Sequence, residues 1–110
     1  MLIKIMNETK LTKEEIKDLV EKTKDLDHKQ AHYSLYRTLM NGTRRELLKF
    51  IGYEIRTMSD IVEKFNISEE QLKYHLSMLE QCFCIINSKE GWKSTLAGIK
   101  FLENAKMGDF

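Results

Sequence analysis

Apolar residues return at intervals of three and four along much of this chain, and several such runs begin behind a Ser or Thr with an acidic residue or Gln three positions on. In that pattern the hydroxyl accepts from the later amide while the later side chain reaches back, so two orphan donors are satisfied at a helix start. Thr12 with Glu15, Thr43 with Glu46 and Ser68 with Gln71 fit fully; Thr57 with Asp60 is a shorter-armed version. The runs behind them are Ile16, Leu19 and Val20; Leu47, Leu48 and Ile51; Ile61, Val62 and Phe65; and Leu72, Leu76 and Leu79. Each predicts one buried face of an amphipathic helix. Leu35, Leu39 and Met40 predict another helix, stopped by Asn41-Gly42. The polar run "KDLDHKQAH" keeps only Leu26 and Ala31 as apolar positions, which predicts a break or an exposed stretch there.

After Glu80 the pattern changes. "FCIINSKEGWKS" offers a β-favouring run, a polar turn and a second short run through Trp92, which predicts a hairpin with Gly91 in a left-handed position closing a type I turn with a bulge. Leu96, Ile99 and Leu102 restore helical spacing, and "NAKMGDF" predicts a frayed end. Two short amphipathic helices joined only by Asn66-Ile67 must cross steeply to bury Ile61, Val62 and Phe65 against Leu72 and Leu76. That is a helix-turn-helix arrangement, and the hairpin behind it makes it winged. The fold class expected is mainly α with a small β-hairpin, an α+β winged helix-turn-helix over residues 35–104. Residues 1–34 form an extra N-terminal helical region, and residues 105–110 a frayed tail.

Composition narrows the function classes. At 110 residues, 42% hydrophobic and 32% charged, the chain suits one soluble domain. No apolar run approaches the roughly 18 residues of a membrane span, and "MLIKIM" is too short for a secretory signal, so a cytoplasmic protein with no membrane partner is expected. Eighteen basic against 17 acidic residues leave a net charge of +1, so any nucleic-acid site must be a local patch. Proline is absent and glycine numbers five, so no flexible linker divides the chain. Cys82 and Cys84 stand one residue apart, a spacing that does not suit an ordinary structural disulfide, and reduced thiols are the simplest reading. No Ser, Cys or carboxylate sits in a catalytic signature. Neither an enzyme nor a cofactor is expected.

The ordered set "RRELLKFI" from Arg44, "SDIVEKF" from Ser59, "SEEQLKYHLSMLE" from Ser68 and "TLAGIKFL" from Thr95 resembles the winged-helix regulators of the arsenic-repressor (ArsR) type and their archaeal winged-helix relatives. His75, Leu76 and Leu79 fall on that family's "H-L-x-x-L" positions, and Thr95, Gly98, Phe101 and Leu102 on its closing motif. Two departures stand out. Phe83-Cys84-Ile85 replaces the usual "G-L-V", so the end of the preceding helix lacks glycine's left-handed freedom. The first helix of the motif also lacks the arsenic sensors' Cys-x-Cys, so metal sensing there is not implied.

What the resemblance implies is a sequence-specific, double-stranded-DNA-binding transcriptional regulator with its recognition helix, residues 68–81, in the major groove and its wing, residues 85–94, on the backbone. On the face opposite the leucines, Lys73 suits phosphate or guanine, Gln71 adenine, Tyr74 a phosphate or thymine methyl, and Ser77 close approach. Arg44, Arg45, Arg56, Lys89 and Lys93 would supply phosphate contacts. Glu69 and Glu70 at the helix start repel phosphates, which keeps open an alternative, a winged helix used as a protein-interaction module of transcription or replication machinery. A homodimer is expected, with Ile16, Leu19, Val20 and Leu26 as its interface, because the N-terminal helix has an apolar stripe to bury. Trp92 is expected to pack on the core. Cys82 and Cys84 with His75 could serve metal binding or thiol redox chemistry, and His28 and His32 could hold a metal; packing and solvated surface explain those residues more simply, and neither a metal site nor a thiol sensor is expected.

Overall fold

The computed structural model describes residues 2–106. Along the chain run α1 (Leu2–Glu8), α2 (Lys13–Thr23), α3 (His28–Thr38), α4 (Gly42–Ile51), α5 (Met58–Lys64), α6 (Glu69–Gln81), β1 (Ile85–Ser88), β2 (Gly91–Ser94) and α7 (Leu96–Lys106). The described residues are therefore mainly helical with one antiparallel hairpin, as the α+β reading requires. Helix α1 was not foreseen in "MLIKIM", and α7 continues past the boundary expected at residue 104; residues 107–110 of the tail lie outside the described residues.

Helix starts follow their local chemistry. Reciprocal caps form at Thr12 with Glu15, Thr57 with Asp60 and Ser68 with Gln71. Thr43 does not cap a helix. Asn41 does so two residues earlier: its backbone is extended and its side-chain oxygen accepts from the Arg44 amide at 3.2 Å. The Asn-Gly pair thus starts the next helix rather than merely stopping the last one. The break in "KDLDHKQAH" is equally local, because Asp27 accepts from the Lys29 and Gln30 amides and so opens α3 as a helix separate from α2.

The core is a slab between α4, α6, α7 and the inner side of the hairpin. Leu47, Leu48, Ile51, Leu72, Leu76 and Leu79 are fully buried there, joined by Leu39, Ile61, Ile85, Phe101 and Leu102. On α5 the inward stripe is Met58, Ile61 and Phe65, with Phe65 edge-on to Phe50 at 5.8 Å. Val62, expected inside, is 38% exposed, since a two-turn helix offers only one narrow buried stripe. Trp92 packs on the core as expected and pairs through its backbone with Arg56 (2.7 and 3.0 Å), adding an isolated bridge to the hairpin's edge. The hairpin registers Ser88 with Gly91 across Lys89-Glu90. Gly91 does take a positive φ of 137°, and a Cβ there would strike the Arg56 carbonyl.

The end of α6 shows how a helix stops where glycine is missing. Phe83 itself adopts the left-handed conformation, at φ 61°. Its amide donates to the Glu80 carbonyl and the Cys84 amide to that of Leu79, both at 3.0 Å, the paired bonds of a Schellman motif. Thr95, at the start of α7, holds the turn by donating its hydroxyl to the Phe83 and Cys84 carbonyls.

The N-terminal region is not a free appendage. Leu11 and Ile16 are buried, α1 packs against both α2 and α7, and Glu15 of α2 meets Lys93 of β2 at 2.8 Å.

Candidate nucleic-acid interface

Helix α6 separates its two faces cleanly. Leu72, Leu76 and Leu79 anchor it in the core, while Glu70, Lys73 and Tyr74 project outward, Tyr74 being 58% exposed. Between this face and the hairpin lies an open cleft of about 490 Å³, lined by Lys73, Ser77 and Glu80 on α6, by Thr57 and Met58 at the start of α5, and by Asn87, Lys89 and Glu90 on the hairpin. The helix and the hairpin tip therefore flank one groove.

The polar groups on this surface are partly engaged with one another. Lys73 pairs with Glu69 at 2.9 Å in an exposed i,i+4 bridge, which a phosphate can displace because such pairs contribute about 0.3–0.5 kcal/mol. The Gln71 side-chain oxygen is committed to the Ser68 cap (3.3 Å), and Gln81 donates to the Ser77 hydroxyl (3.2 Å). Asn87 lines the cleft and was not singled out from the sequence, although alternation along β1 turns it outward between Ile86 and Ser88.

Of Arg44, Arg45, Arg56, Lys89 and Lys93, Lys89 alone is exposed; the rest are built into the fold to different degrees. Arg45 donates to the Leu39 and Met40 carbonyls (2.8 and 3.0 Å), closing the end of α3. Arg56 donates to the Phe50 carbonyl at 2.9 Å and lies 4.1 Å above the Phe50 ring. Arg44 bonds the Thr38 carbonyl and His75 Nδ1 and stands 5.6 Å from the Tyr74 ring, close to the outward face.

Lys93 corrects the sequence reading most plainly. Its side chain is 1% exposed, between Glu15 (2.8 Å) and Glu90 (3.4 Å), so it cannot reach a phosphate. Strand alternation is the cause: Lys93 stands opposite Ile86, on the side of the hairpin that α2 covers. Burial opposes its charge, but the two carboxylates outweigh that and hold its pKa above the ordinary value; Glu15, for the same balance of causes, is held below its own.

His75 is a packing histidine, as its position suggested. Nδ1 accepts from Arg44 Nε at 3.2 Å, and burial first, then the guanidinium, lowers its pKa. Among the expected interface residues on α2 and beyond, Ile16 is already buried within the single chain, Leu19 is half-buried, and Val20 and Leu26 are exposed. Among the described residues no three His, Cys, Asp or Glu side chains converge as a metal site, and no helix is long and apolar enough to cross a membrane.

Against this geometry, the chain is 31% identical over 58 residues to the transcriptional repressor SdpR of Bacillus subtilis (strain 168). The alignment takes in 53% of this chain and 64% of that protein, so the chain spans less than two thirds of the relative it matches. No family model matches the chain, and no solved structure gives a significant match.

Proposed function

We propose that this protein is a cytoplasmic winged helix-turn-helix regulator of transcription that reads double-stranded DNA with α6. The observation that carries this is the shared groove: Lys73 and Ser77 on a helix anchored by three buried leucines, with Lys89 of the hairpin tip in the same lining, and Tyr74 exposed on the same helix outside that cleft. A rigid helix that presents lysine, tyrosine and a small hydroxyl outward matches what base edges accept, while the wing tip meets only backbone. Similarity to a transcriptional repressor supports the same reading. The resemblance to ArsR-type and archaeal winged-helix regulators belongs with it.

Affinity comes from Lys89 and Arg44, with Lys93 withdrawn. One module contacts few base pairs, so the reading includes a homodimer joined through Val20 and Leu26, with the half-buried Leu19 beside them.

The test is selection on random duplex DNA, followed by binding measurements on the recovered site. A palindrome is expected, together with sedimentation as a dimer. Lys89→Ala should weaken binding equally on cognate and random DNA and lower the salt slope by about one unit. Tyr74→Ala should cost on the order of 1–3 kcal/mol on the cognate site alone. No duplex binding at about 50 mM salt, where the counterion contribution is large, rejects the DNA reading.

A second reading has its own observation. Three expected phosphate ligands, Arg45, Arg56 and Lys93, are committed to carbonyls or carboxylates inside the fold, and α6 opens with Glu69 and Glu70. A winged helix that docks a basic protein surface of the transcription or replication machinery would look like this, and failure of duplex binding would favour it.

A further inference from the structure

The Schellman turn that ends α6 places two thiols together. Cys82 and Cys84 flank the left-handed Phe83, and their Sγ atoms lie 3.2 Å apart although only one residue separates them. Both are free and buried. The sequence spacing argued against a disulfide, but the positive φ at Phe83 turns both side chains to the same side. We propose that Cys82 and Cys84 form a redox-active dithiol that a hydroperoxide converts to a reversible intramolecular disulfide.

The two sulfurs have different parts. Cys82 is 8% exposed and lies at the floor of two clefts, about 350 and 260 Å³, both bordered by Leu26, Ala31 and Phe83. Cys84 is closed off entirely. The two thiols share this contact, in which either sulfur can donate, and it is the largest influence on both: it draws the Cys82 pKa down against the effect of burial and pushes that of Cys84 up. Cys82, which alone of the two lines the clefts, is thus the sulfur that a small oxidant meets and that reacts as its thiolate, and Cys84 is the partner that resolves the product.

The Cys82 thiolate attacks the terminal oxygen of the hydroperoxide. An S–O bond forms, the O–O bond breaks, and the departing alkoxide or hydroxide takes up the proton that Cys82 has released. The Cys84 sulfur then attacks Cys82 Sγ, the S–O bond breaks, and hydroxide leaves with the Cys84 proton as water. Two thiols and one hydroperoxide become a disulfide, one alcohol or water, and one further water. Closing from 3.2 Å to a bond of about 2.05 Å takes place inside a turn fixed by the Leu79, Glu80 and Thr95 hydrogen bonds. A bond made under that restraint is readily reduced again. The chemistry stands whether or not α6 enters a DNA groove.

The test uses the full reduced chain and hydrogen peroxide, followed by alkylation and peptide mass mapping. Both thiols should become unavailable together, the peptide carrying residues 82 and 84 should be lighter by two hydrogen atoms, and dithiothreitol should restore it. Cys84→Ser should trap the sulfenic acid on Cys82 as a dimedone adduct. Retention of both alkylatable thiols in the wild type, cross-linking between chains, or first modification at Cys84 would each overturn the assignment. The wild-type measurement needs no variant to fold.

Discussion

Replacing Lys93 with Met removes a buried charge while keeping most of its stem volume, and so isolates the ion pair that joins α2 to the hairpin. Breaking a fully buried pair costs about 3–5 kcal/mol, because the partner is left charged and unpaired. Here Glu15 is 21% exposed and Glu90 60% exposed, so water recovers part of that loss and about 2–3 kcal/mol is expected. With an unfolding entropy of about 2.1 cal/mol/K per residue, 2 kcal/mol lowers the midpoint of this 110-residue chain by roughly 9 °C. Glu15→Gln can keep the bond to the Thr12 amide while losing the charge, so it belongs in a double-mutant cycle followed by urea denaturation. The double variant should lose less than the sum of the two single ones, by about 1–2 kcal/mol of coupling. DNA binding supplies the contrast: Lys93→Met should leave the salt slope unaltered, whereas Lys89→Ala should alter the slope and leave stability alone. Additivity within about 0.5 kcal/mol, or a fall in the salt slope for Lys93→Met, would refute the assignment of this lysine to the fold.

Burial and Arg44 disfavour the charged form of His75, so its folded pKa lies below the ordinary 6.5; the native state binds fewer protons than the unfolded one, and stability that is full well above pH 6.5 should fall as pH drops through and below that value. Urea midpoints across that range should show the loss, and His75→Gln, which can still accept from Arg44, should flatten it. Gly98→Ala would improve helix propensity by about 1 kcal/mol in isolation, yet its Cβ would strike the Cys84 carbonyl and crowd Leu48, so a net loss of roughly 1–3 kcal/mol is expected by thermal unfolding, and a gain would refute the contact.

Much of this architecture was legible because it is local. Three reciprocal caps and the leucine stripe of α6 depend on spacings of three and four residues, which a sequence displays directly. Asn41 was visible but assigned to the wrong neighbour, since the same residue type favours the end of one helix and the start of the next. The engagement of Lys93, Arg45 and Arg56 inside the fold was not legible, because Glu15 lies 78 residues from Lys93 and the two arginines bond backbone carbonyls that no side-chain pattern reveals. The outward face of α6 was recovered, while the cleft beside it needed the hairpin's register to bring in Asn87. That Cys82 and Cys84 share a side follows from alternation alone, but the turn that brings their sulfurs to 3.2 Å was not legible, because it depends on a left-handed Phe, a conformation that its residue type disfavours.

The contrast between the helix caps and the Glu15–Lys93 pair also orders events in time. Caps close loops of three residues and can form as soon as a helix nucleates, whereas the ion pair must wait for a loop of 78 residues to close. Docking of α2 onto the hairpin is then expected on the native side of the folding barrier. Weakening it should accelerate unfolding and leave the refolding rate almost unchanged, so the pair acts as a kinetic latch that sets how long the folded protein lasts once formed.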